Sequence, residues 1–199
     1  MSKRKIEVCF TVESAPYYDV SNSNVVVVDI FRATSAICAA FANGAKAIIP
    51  IPTEQDAEDA KKKGYVVAAE RNGQKLPFAD FGNSPFNFTP ERVSGKEVAY
   101  STTNGTRAIS AASKGKSVVI GSFINISSVA DWIVNQSSGE LLILCAGWKG
   151  KYCIEDPLFA GALAQKLIAT DKFVTDCDST QTSIQLWDMA KTNIMGYLE

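Results

Sequence analysis

The chain has 199 residues, of which 20 are Lys or Arg and 21 are Asp or Glu, so its formal net charge is −1. A nearly neutral protein has no general attraction for nucleic acid or anionic membranes, so any anion site must come from local clustering of basic groups. The sequence contains no histidine, which excludes Ser-His-Asp hydrolases, histidine phosphatases and imidazole metal sites. Acid–base chemistry is left to Asp, Glu, Lys, Tyr or Cys.

The N-terminal segment MSKRKIEVCF lacks an apolar stretch of signal-peptide length, and no apolar run is long enough to span a bilayer. These features predict a cytoplasmic protein with neither a membrane nor a nucleic-acid partner. The five cysteines are odd in number and widely spaced, which indicates reduced thiols rather than a disulfide framework. Exposed edge strands would be compatible with a homodimer.

Apolar runs rich in Val, Ile and Leu alternate with helix-like segments along the chain. The runs VVVVD and LLILC are apolar without alternation, which is typical of strands covered on both faces. The predicted strands are 6–12, 25–30, 47–51, 65–69, 97–101, 117–121 and 141–146. The first helix is predicted over 33–43, before Gly44, and the second over 54–63, between a Thr53 cap and Gly64.

Two later helices also have start signals. Ser128 and Asp131 resemble a capping box at the start of VADWIV, and Asp156 before Pro157 is typical of an N-cap followed by a first helical residue. The alternation of strands and helices predicts one three-layer α/β/α domain over residues 1–199, with a largely parallel or mixed central sheet. Between the predicted strands 65–69 and 97–101, about twenty residues, 70–90, lack periodicity. Loops of that length are usually functional or disordered.

Ligands of open α/β sheets bind at the carboxyl ends of the strands. The segment VVVVDIFRATS places Asp29 at such an end, with Arg32, Thr34 and Ser35 at the entry of the next helix. Asp29 could ligate a metal or attack phosphorus, or it could cap the helix or pair with Arg32. With Asp29 before it and two hydroxyls after it, Arg32 is a candidate anion ligand.

The segment AYSTTNGTR follows another predicted strand. Asn104 and Gly105 allow a tight turn, the free amides after it face an anion, and Arg107 adds charge. The segment therefore predicts a phosphate-binding loop, although it lacks P-loop spacing. The alternative is an ordinary helix cap, for which one such residue would suffice. The candidate ligands are Thr102, Thr103, Asn104, Gly105, Thr106 and Arg107.

The third polar strand end is CAGWKGKYCIED. Glu155 and Asp156 are either metal ligands or the start of a helix, and Lys149 is a candidate cation. Cys145 invites comparison with cysteine phosphatases, but no arginine follows at the required spacing, so a buried strand cysteine is the favoured interpretation. Residues 176–180 fit the D-x-D-x-T pattern of haloacid-dehalogenase-type phosphatases. Because they follow a long helix, we expect a loop that caps a helix from Thr182 onward.

Four blocks occur in order along the chain: VVVVDIFRATSAICAAFANGA, AAERNG with FADFGNSP, AYSTTNGTRAI, and LLILCAGWKGKYCIEDPLFAGAL. Together they resemble the 2-phosphosulfolactate phosphatase family, known as ComB, of coenzyme M biosynthesis. The resemblance implies an α/β, Mg²⁺-dependent hydrolase that converts 2-phospho-3-sulfolactate into 3-sulfolactate and phosphate. Members of the family continue with a further helix and strand, so the resemblance also implies that this chain lacks that C-terminal end.

The resemblance points to a set of polar site residues, namely Asp29, Arg32, Glu70, Arg71, Asn83, Ser84, Thr102, Thr103, Asn104, Arg107, Glu155 and Asp156. We expect Asp29, Glu155 and Asp156 to hold the metal, and Asp29, Arg32, Arg107 and Glu155 to carry catalysis. Either water activated on the metal or Asp29 itself would attack phosphorus. The loop 70–85, with Arg71 and Asn83, is expected to recognise the carboxylate or sulfonate end. The alternative is a non-catalytic phosphate- or nucleotide-binding module built from the same loops.

Overall fold

Strands and helices alternate along the chain in the computed structural model, which describes residues 3–198. The strands are β1 (Arg4–Cys9), β2 (Ser23–Val28), β3 (Ala47–Pro50), β4 (Val66–Arg71), β5 (Gln74–Lys75), β6 (Glu97–Ser101), β7 (Ser117–Gly121), β8 (Glu140–Cys145) and β9 (Phe173–Val174). The α-helices are α1 (Ala33–Ala42), α2 (Glu54–Lys62), α3 (Pro90–Val93), α4 (Gly105–Ala112), α5 (Ile126–Asn135), α6 (Glu155–Ile168), α7 (Asp178–Ala190) and α8 (Ile194–Leu198). Short 3-10 turns cover Val12–Tyr17, Pro85–Asn87 and Phe123–Asn125.

The strands form two sheets. The larger sheet has the order β7–β2–β8–β1–β9, and all its neighbouring strands are parallel. The smaller sheet has the order β3–β6–β4–β5, in which the β4–β5 pair is antiparallel. The predicted α/β class, with largely parallel strands between helices, is confirmed. The division into two sheets is not visible in the sequence, because periodicity does not reveal which strands pair.

Each sheet is covered by helices on both faces, which explains the apolar strands without alternation. In β2, Val26 and Val28 pack in a cluster with α5 and α6, whereas Val25 and Val27 pack in a cluster with α4. In the smaller sheet, α1 covers one face and α2 covers the other. Successive residues of a strand point to opposite faces, so both clusters are filled from the same short run of valines.

The chain passes twice between the two sheets, and both passages are helices. After β2 it leaves the larger sheet through α1 and enters the smaller sheet at β3. After β6 it returns through α4 to β7. Both helices therefore begin at the carboxyl end of a parallel strand, which is where α/β proteins bind ligands.

Several predicted element ends are confirmed. The Thr53 Oγ1 accepts a hydrogen bond from Asp56 N at 3.0 Å and caps α2. Gly44 and Gly64 have φ values of 84° and 87°, the left-handed region expected just beyond a helix. The first strand is shorter than predicted, because β1 ends at Cys9 and the chain then enters the 3-10 turn Val12–Tyr17.

Three predicted helix starts are wrong. Helix α5 begins at Ile126 rather than at a Ser128 box, and the capping box instead joins Ser122 and Asn125 around the preceding 3-10 turn. Asp156 is not an N-cap, because α6 already begins one residue before it and its carboxylate bonds to distant backbone groups. Helix α7 begins at Asp178, four residues before the predicted start. Caps are hard to place where polar side chains have tertiary partners.

Among residues 3–198, no helix combines the length and the apolar character needed to cross a membrane.

Candidate active site

Asp29 directly follows β2 and is buried against the start of α1. Its Oδ1 accepts a hydrogen bond from Ala33 N at 3.0 Å, and the Thr34 hydroxyl donates to the Asp29 carbonyl at 2.8 Å. The Ser35 hydroxyl donates to the Ile30 carbonyl at 2.9 Å. Thr34 and Ser35, both predicted to bind substrate, therefore hold the end of the strand and direct their hydroxyls to the backbone.

The first turn of α4 lies next to the Asp29 carboxylate. A Cβ placed on Gly105 would lie 2.3 Å from Ala33 Cβ and 3.0 Å from Asp29 Oδ2, so glycine alone permits this approach. Thr106 N donates to Thr102 Oγ1 at 3.1 Å, and Thr106 Oγ1 donates to the Thr102 carbonyl at 2.8 Å. Asp29 Oδ2 thus lies at a helix end where backbone N–H groups lack intrahelical acceptors and attract anions.

Glu70, near the end of β4, joins the predicted phosphate loop before α4 to the turn that follows β4. Its Oε1 accepts a hydrogen bond from Thr103 N at 2.6 Å, and its Oε2 accepts one from Gly73 N at 2.6 Å. The Thr103 hydroxyl also donates to Oε2 at 3.1 Å, and it accepts a bond from Asn72 N at 3.0 Å. Because its acceptors are occupied, Glu70 positions the loop rather than contacting a ligand.

Asp156, on the first turn of α6, links two strand ends. Its Oδ1 accepts a hydrogen bond from Ile30 N at 2.8 Å, and its Oδ2 accepts one from Gly147 N at 3.2 Å. The Cys153 thiol donates to the same Oδ2 at 3.3 Å. Glu155 is partly exposed beside it, and one ligand atom each of Cys153, Glu155 and Asp156 lie within 4.8 Å of one another.

The carboxylates of Asp29, Glu155 and Asp156 form an acidic cluster that raises pKa values. Burial raises the pKa of Asp29 to about 6, and the negative charges of Glu70 and Glu155 act in the same direction. Burial also raises the pKa of Asp156 to about 8, with Asp29 as the strongest charged contributor. Strongly shifted carboxyl groups that cluster at strand ends are typical of functional sites.

The acidic cluster fits a divalent cation. Its oxygen ligands are those that Mg²⁺ prefers, and within residues 3–198 none of its three carboxylates lies within salt-bridge distance of a Lys or Arg. Asp156 already accepts three hydrogen bonds, and the Cys153 thiol is a soft ligand that Mg²⁺ does not favour. Among the described residues, the ligand atoms that lie within 4.8 Å of one another are those of Cys153, Glu155 and Asp156. Glu155 is therefore the best placed of these to hold the ion, and Asp29 is a candidate ligand from the neighbouring strand end.

The loop after β8 packs against the predicted phosphate loop before α4. Lys149 N donates to the Asn104 side-chain oxygen at 3.0 Å, so the Asn104 carboxamide oxygen holds the loop after β8. Lys149 itself has a φ of 52°, and its Nζ lies 5.5 Å from the centroid of the Trp148 ring. The Lys149 side chain is exposed near the predicted phosphate loop.

Two predicted cations are turned toward protein partners. Arg107 forms a salt bridge with Glu13 at 2.6 Å, a residue that carries no functional signal in the sequence. Arg71 donates to the Ser101 hydroxyl at 2.9 Å and to the Glu70 carbonyl at 2.6 Å. The charge of Arg71 therefore supports the loop 70–85 from inside, and Arg107 would have to leave Glu13 to reach a bound phosphoryl group.

A polar cavity of about 310 Å³ opens beside the Asp29 loop. Asn83 and Ser84, which were predicted to bind substrate, line it together with Arg32, which was predicted to act in catalysis. Lys75 and Arg92 also line it and were not predicted. Their signal in the sequence was weak, since each is one basic residue within or just after the irregular segment 70–90.

Two alternative sites can be assessed by geometry. Cys145 is fully buried in β8, and burial raises its pKa well above the usual value, so it is a packed strand cysteine as expected. In the D-x-D-x-T segment, Asp176 pairs with Lys5 at 2.7 Å and Asp178 opens α7. The expectation of a loop that caps a helix from Thr182 is therefore wrong, because Asp178, Ser179 and Thr180 already belong to the first turn of α7.

The fold and the site define a class of protein: an α/β protein whose acidic cluster and helix N-terminus meet at the carboxyl ends of parallel strands. Three curated relatives carry the name probable 2-phosphosulfolactate phosphatase. The protein of Caldanaerobacter subterraneus subsp. tengcongensis is 38% identical over 185 residues, covering 91% of this chain and 76% of its own. Those of Thermotoga maritima and Clostridium novyi are 38% and 34% identical, covering 80% and 98% of this chain and 69% and 79% of their own.

A family model described as 2-phosphosulpholactate phosphatase matches residues 9–199. The chain belongs to the 2-phosphosulfolactate phosphatase family.

Proposed function

We propose that this protein is a Mg²⁺-dependent phosphomonoesterase that hydrolyses 2-phospho-3-sulfolactate, or a related small phosphorylated hydroxy acid, to the free hydroxy acid and phosphate. The observation that carries the proposal is the position of Asp29 Oδ2 against the first turn of α4, with Glu155 and Asp156 nearby. Family membership supports the substrate class. In an organism that makes coenzyme M, the product would enter that pathway.

In the proposed mechanism, the phosphoryl group binds between Asp29 and the start of α4. The Thr102 hydroxyl accepts the Thr106 amide and so fixes the first turn of α4, and the Gly105 amide at the start of that helix would stabilise negative charge on the phosphoryl oxygens. Arg32 is three residues from Asp29, and within residues 3–198 its guanidinium makes one hydrogen bond, a long one of 3.5 Å to the Gly73 carbonyl. Its guanidinium can therefore turn to the same oxygens without breaking a strong contact.

The carboxylates have separate tasks in this mechanism. Asp29 and Glu155 would hold Mg²⁺, which when bound offsets charge on the phosphoryl group and polarises it. Asp156 fixes the geometry by holding the Ile30 and Gly147 amides. With no histidine in the chain, proton transfer is left to Asp, Glu, Lys, Tyr or Cys side chains.

Two routes of attack remain within the proposal, and they differ in what Asp29 does. It either orients a water molecule toward phosphorus or attacks phosphorus itself to give an acyl phosphate that water then cleaves. Rapid quenching followed by mass spectrometry of the Asp29 peptide separates them. A transient phosphorylated peptide supports direct attack, and its absence during steady turnover supports water.

The first test is Asp29→Asn, assayed by phosphate release with Mg²⁺, with EDTA, and with EDTA followed by excess Mg²⁺. We expect kcat to fall at least about 100-fold, because one catalytic charge is lost. The matched control is Asp178→Asn, an exposed aspartate at the start of α7, which should retain full activity. A rate within a few-fold of wild type for Asp29→Asn would contradict the role of Asp29.

The second candidate function is a binding module that uses the same amides without catalysis. The salt bridge between Arg107 and Glu13 favours this binding module, because it holds a cation that was expected to act in catalysis away from the phosphate loop. Phosphate binding in solution together with no metal-dependent release of phosphate from any ester would support the binding module. Metal-dependent turnover would exclude it.

A further inference from the structure

The cavity beside the Asp29 loop concentrates positive charge that is not paired within the protein. Arg32, Lys75 and Arg92 all line it, and none of them forms a salt bridge within residues 3–198. The acidic side chain in its wall, Asp80, is held by Lys61 at 2.5 Å and by Val67 N at 2.9 Å. The cavity therefore carries a net positive charge that only a ligand or solvent ions can balance.

The charged groups of Lys75 and Arg92 each make one hydrogen bond to a backbone carbonyl and keep their other donors free. The Lys75 Nζ donates to the Ala79 carbonyl at 2.8 Å, and the Arg92 Nη1 donates to the Asn87 carbonyl at 3.3 Å. The Arg92 guanidinium also lies 5.6 Å from the centroid of the Phe81 ring. An ammonium group has three donors and a guanidinium has five, so most of these remain available to an oxyanion.

Asn83 provides a second, independent indication of a ligand. The residue is only 7% exposed and lines the same cavity, yet its Oδ1 has no hydrogen-bond partner within residues 3–198. Buried polar atoms are nearly always paired, so an unpaired one at a cavity wall indicates a missing polar partner. Because Oδ1 only accepts, its missing partner is a donor such as a water molecule, which can in turn donate to an oxyanion, whereas Nδ2 can donate to an oxyanion directly.

The cavity adjoins the proposed phosphoryl site and shares structure with it. Arg32 belongs to the loop that carries Asp29 and also lines the cavity. Gly73, in the cavity wall, donates its amide to Glu70, and the same carboxylate holds Thr103 of the phosphate loop. A small ligand could thus place one anionic group at α4 and another in the cavity.

We propose that Lys75 and Arg92, together with Asn83, form a subsite for the second anionic group of the substrate, a carboxylate or a sulfonate, with Arg32 between this subsite and the phosphoryl group. The inference rests on the proposed phosphatase function and assigns specificity to residues outside the catalytic cluster. Lys75 and Arg92 would select esters that carry an acidic arm over esters that do not. Arg71, the cation expected in this role, is committed to Ser101 and Glu70.

The test measures how the full chain turns over four phosphate esters that share one three-carbon skeleton. These are 2-phospho-3-sulfolactate, 2-phospholactate with the carboxylate alone, 1-sulfopropan-2-yl phosphate with the sulfonate alone, and isopropyl phosphate with neither. In Arg92→Gln and Lys75→Gln we expect KM for the acid-bearing esters to rise about tenfold or more, since each loses a charge-assisted hydrogen bond. KM for isopropyl phosphate should change less than about twofold. If KM rises only for the carboxylate ester, the subsite binds the carboxylate, and if it rises only for the sulfonate ester, the subsite binds the sulfonate.

Two controls separate charge at the subsite from general effects. Lys166→Gln removes an exposed charge from the last turn of α6 and should leave all four KM values unchanged. Arg92→Lys keeps the charge and should recover part of the KM for the acid-bearing esters, whereas a merely structural role would not be rescued in this selective way. Thermal unfolding of each variant checks that it is folded.

Binding of 3-sulfolactate, measured by calorimetry, is independent of turnover. If no ester is hydrolysed but 3-sulfolactate binds wild type and binds about tenfold more weakly to Arg92→Gln, the proposed function fails and the subsite stands. If esters are hydrolysed but all four KM values change equally in the variants, or none changes, the subsite is wrong and the phosphatase proposal stands. Failure of 3-sulfolactate to bind wild type would also overturn the subsite.

Discussion

At the scale of single residues, Gly105 sets how closely the phosphate loop approaches Asp29. We predict that Gly105→Ala lowers the free energy of unfolding by about 1–3 kcal/mol, because the new Cβ would lie 2.3 Å from Ala33 Cβ. It should also lower kcat/KM strongly, since α4 must shift away from Asp29. Chemical denaturation and phosphate-release kinetics measure the two effects.

A double variant provides the control for Gly105. Ala33→Gly removes the atom that the new Cβ would strike, so Ala33→Gly combined with Gly105→Ala should regain part of the lost stability, apart from about 1 kcal/mol for glycine in a helix. Equal stability loss in the presence and absence of Ala33 Cβ would contradict this explanation.

The sequence predicted which strand ends lie close together where polar residues directly follow a predicted strand. Asp29 after four valines and Gly105 within STTNGTR do lie side by side. Side-chain direction was not predictable, because Arg71 and Arg107 find partners, Ser101 and Glu13, that are far away in the sequence. Arg92 was missed for the same reason, since only tertiary packing on Phe81 brings it to the cavity.

At the scale of elements, Glu70 joins the β4–β5 turn to the loop before α4. We predict that Glu70→Gln lowers the free energy of unfolding by about 1.5–3 kcal/mol, because an NH₂ group replaces one accepting oxygen and leaves either the Gly73 or the Thr103 amide without its partner. These two amides should exchange their hydrogens faster with solvent, and kcat should fall with them. Hydrogen exchange measured residue by residue tests the local effect.

The control for Glu70 is Glu97→Gln. Glu97 pairs with exposed Lys46 at 2.8 Å, and surface pairs of this kind contribute about 0–1 kcal/mol. If Glu70→Gln lowered the free energy of unfolding no more than Glu97→Gln, the contact between the β4–β5 turn and the loop before α4 would not depend on the Glu70 carboxylate.

Helices α6 and α7 cross at Gly161. A Cβ there would lie 1.9 Å from the Ser183 carbonyl oxygen, a backbone atom that cannot turn aside. We predict that Gly161→Ala destabilises the protein by at least about 3 kcal/mol, at the upper end of overpacking costs. Lys166→Ala, at an exposed position of the same helix, should change the unfolding free energy by less than about 0.5 kcal/mol. Urea denaturation distinguishes these outcomes.

Element types were predictable because period and caps are local, as the Thr53 cap and the Gly44 and Gly64 ends show. The starts of α5 and α6 were not, since Asp156 looks like a cap in the sequence but is drawn to the Ile30 and Gly147 amides. A polar residue before an apolar run offers its side chain to whichever donors the fold brings close.

At the scale of the whole molecule, the acidic cluster links metal binding to stability. We predict that Mg²⁺ raises the free energy of unfolding by about 2.7 kcal/mol at one hundred times its Kd, because it binds the folded chain only. Glu155→Gln should lose most of this gain, whereas Asp178→Asn should keep it. Thermal melting with Mg²⁺, and again after EDTA, measures the difference. Equal stabilisation of Glu155→Gln and wild type would place the ion elsewhere.

The α/β class followed from strand and helix alternation, but the pairing of the strands did not. Nothing in the apolar runs shows that β3, β6 and β4 leave the larger sheet and form another. The existence of the cavity could therefore not be predicted from the sequence. The loop 70–85, which forms much of its wall, was nevertheless expected to bind the acidic end of a substrate.

The strand order has a consequence for the time at which activity can appear. In β7–β2–β8–β1–β9 no two neighbours are consecutive in the chain, and Ile6 pairs with Leu141. High contact order of this kind slows folding, and during synthesis the N-terminal strands must wait for partners made much later. The smaller sheet, drawn from residues 47–75 and 97–101, is complete earlier. Asp29 can meet Glu155 only after most of the chain has left the ribosome.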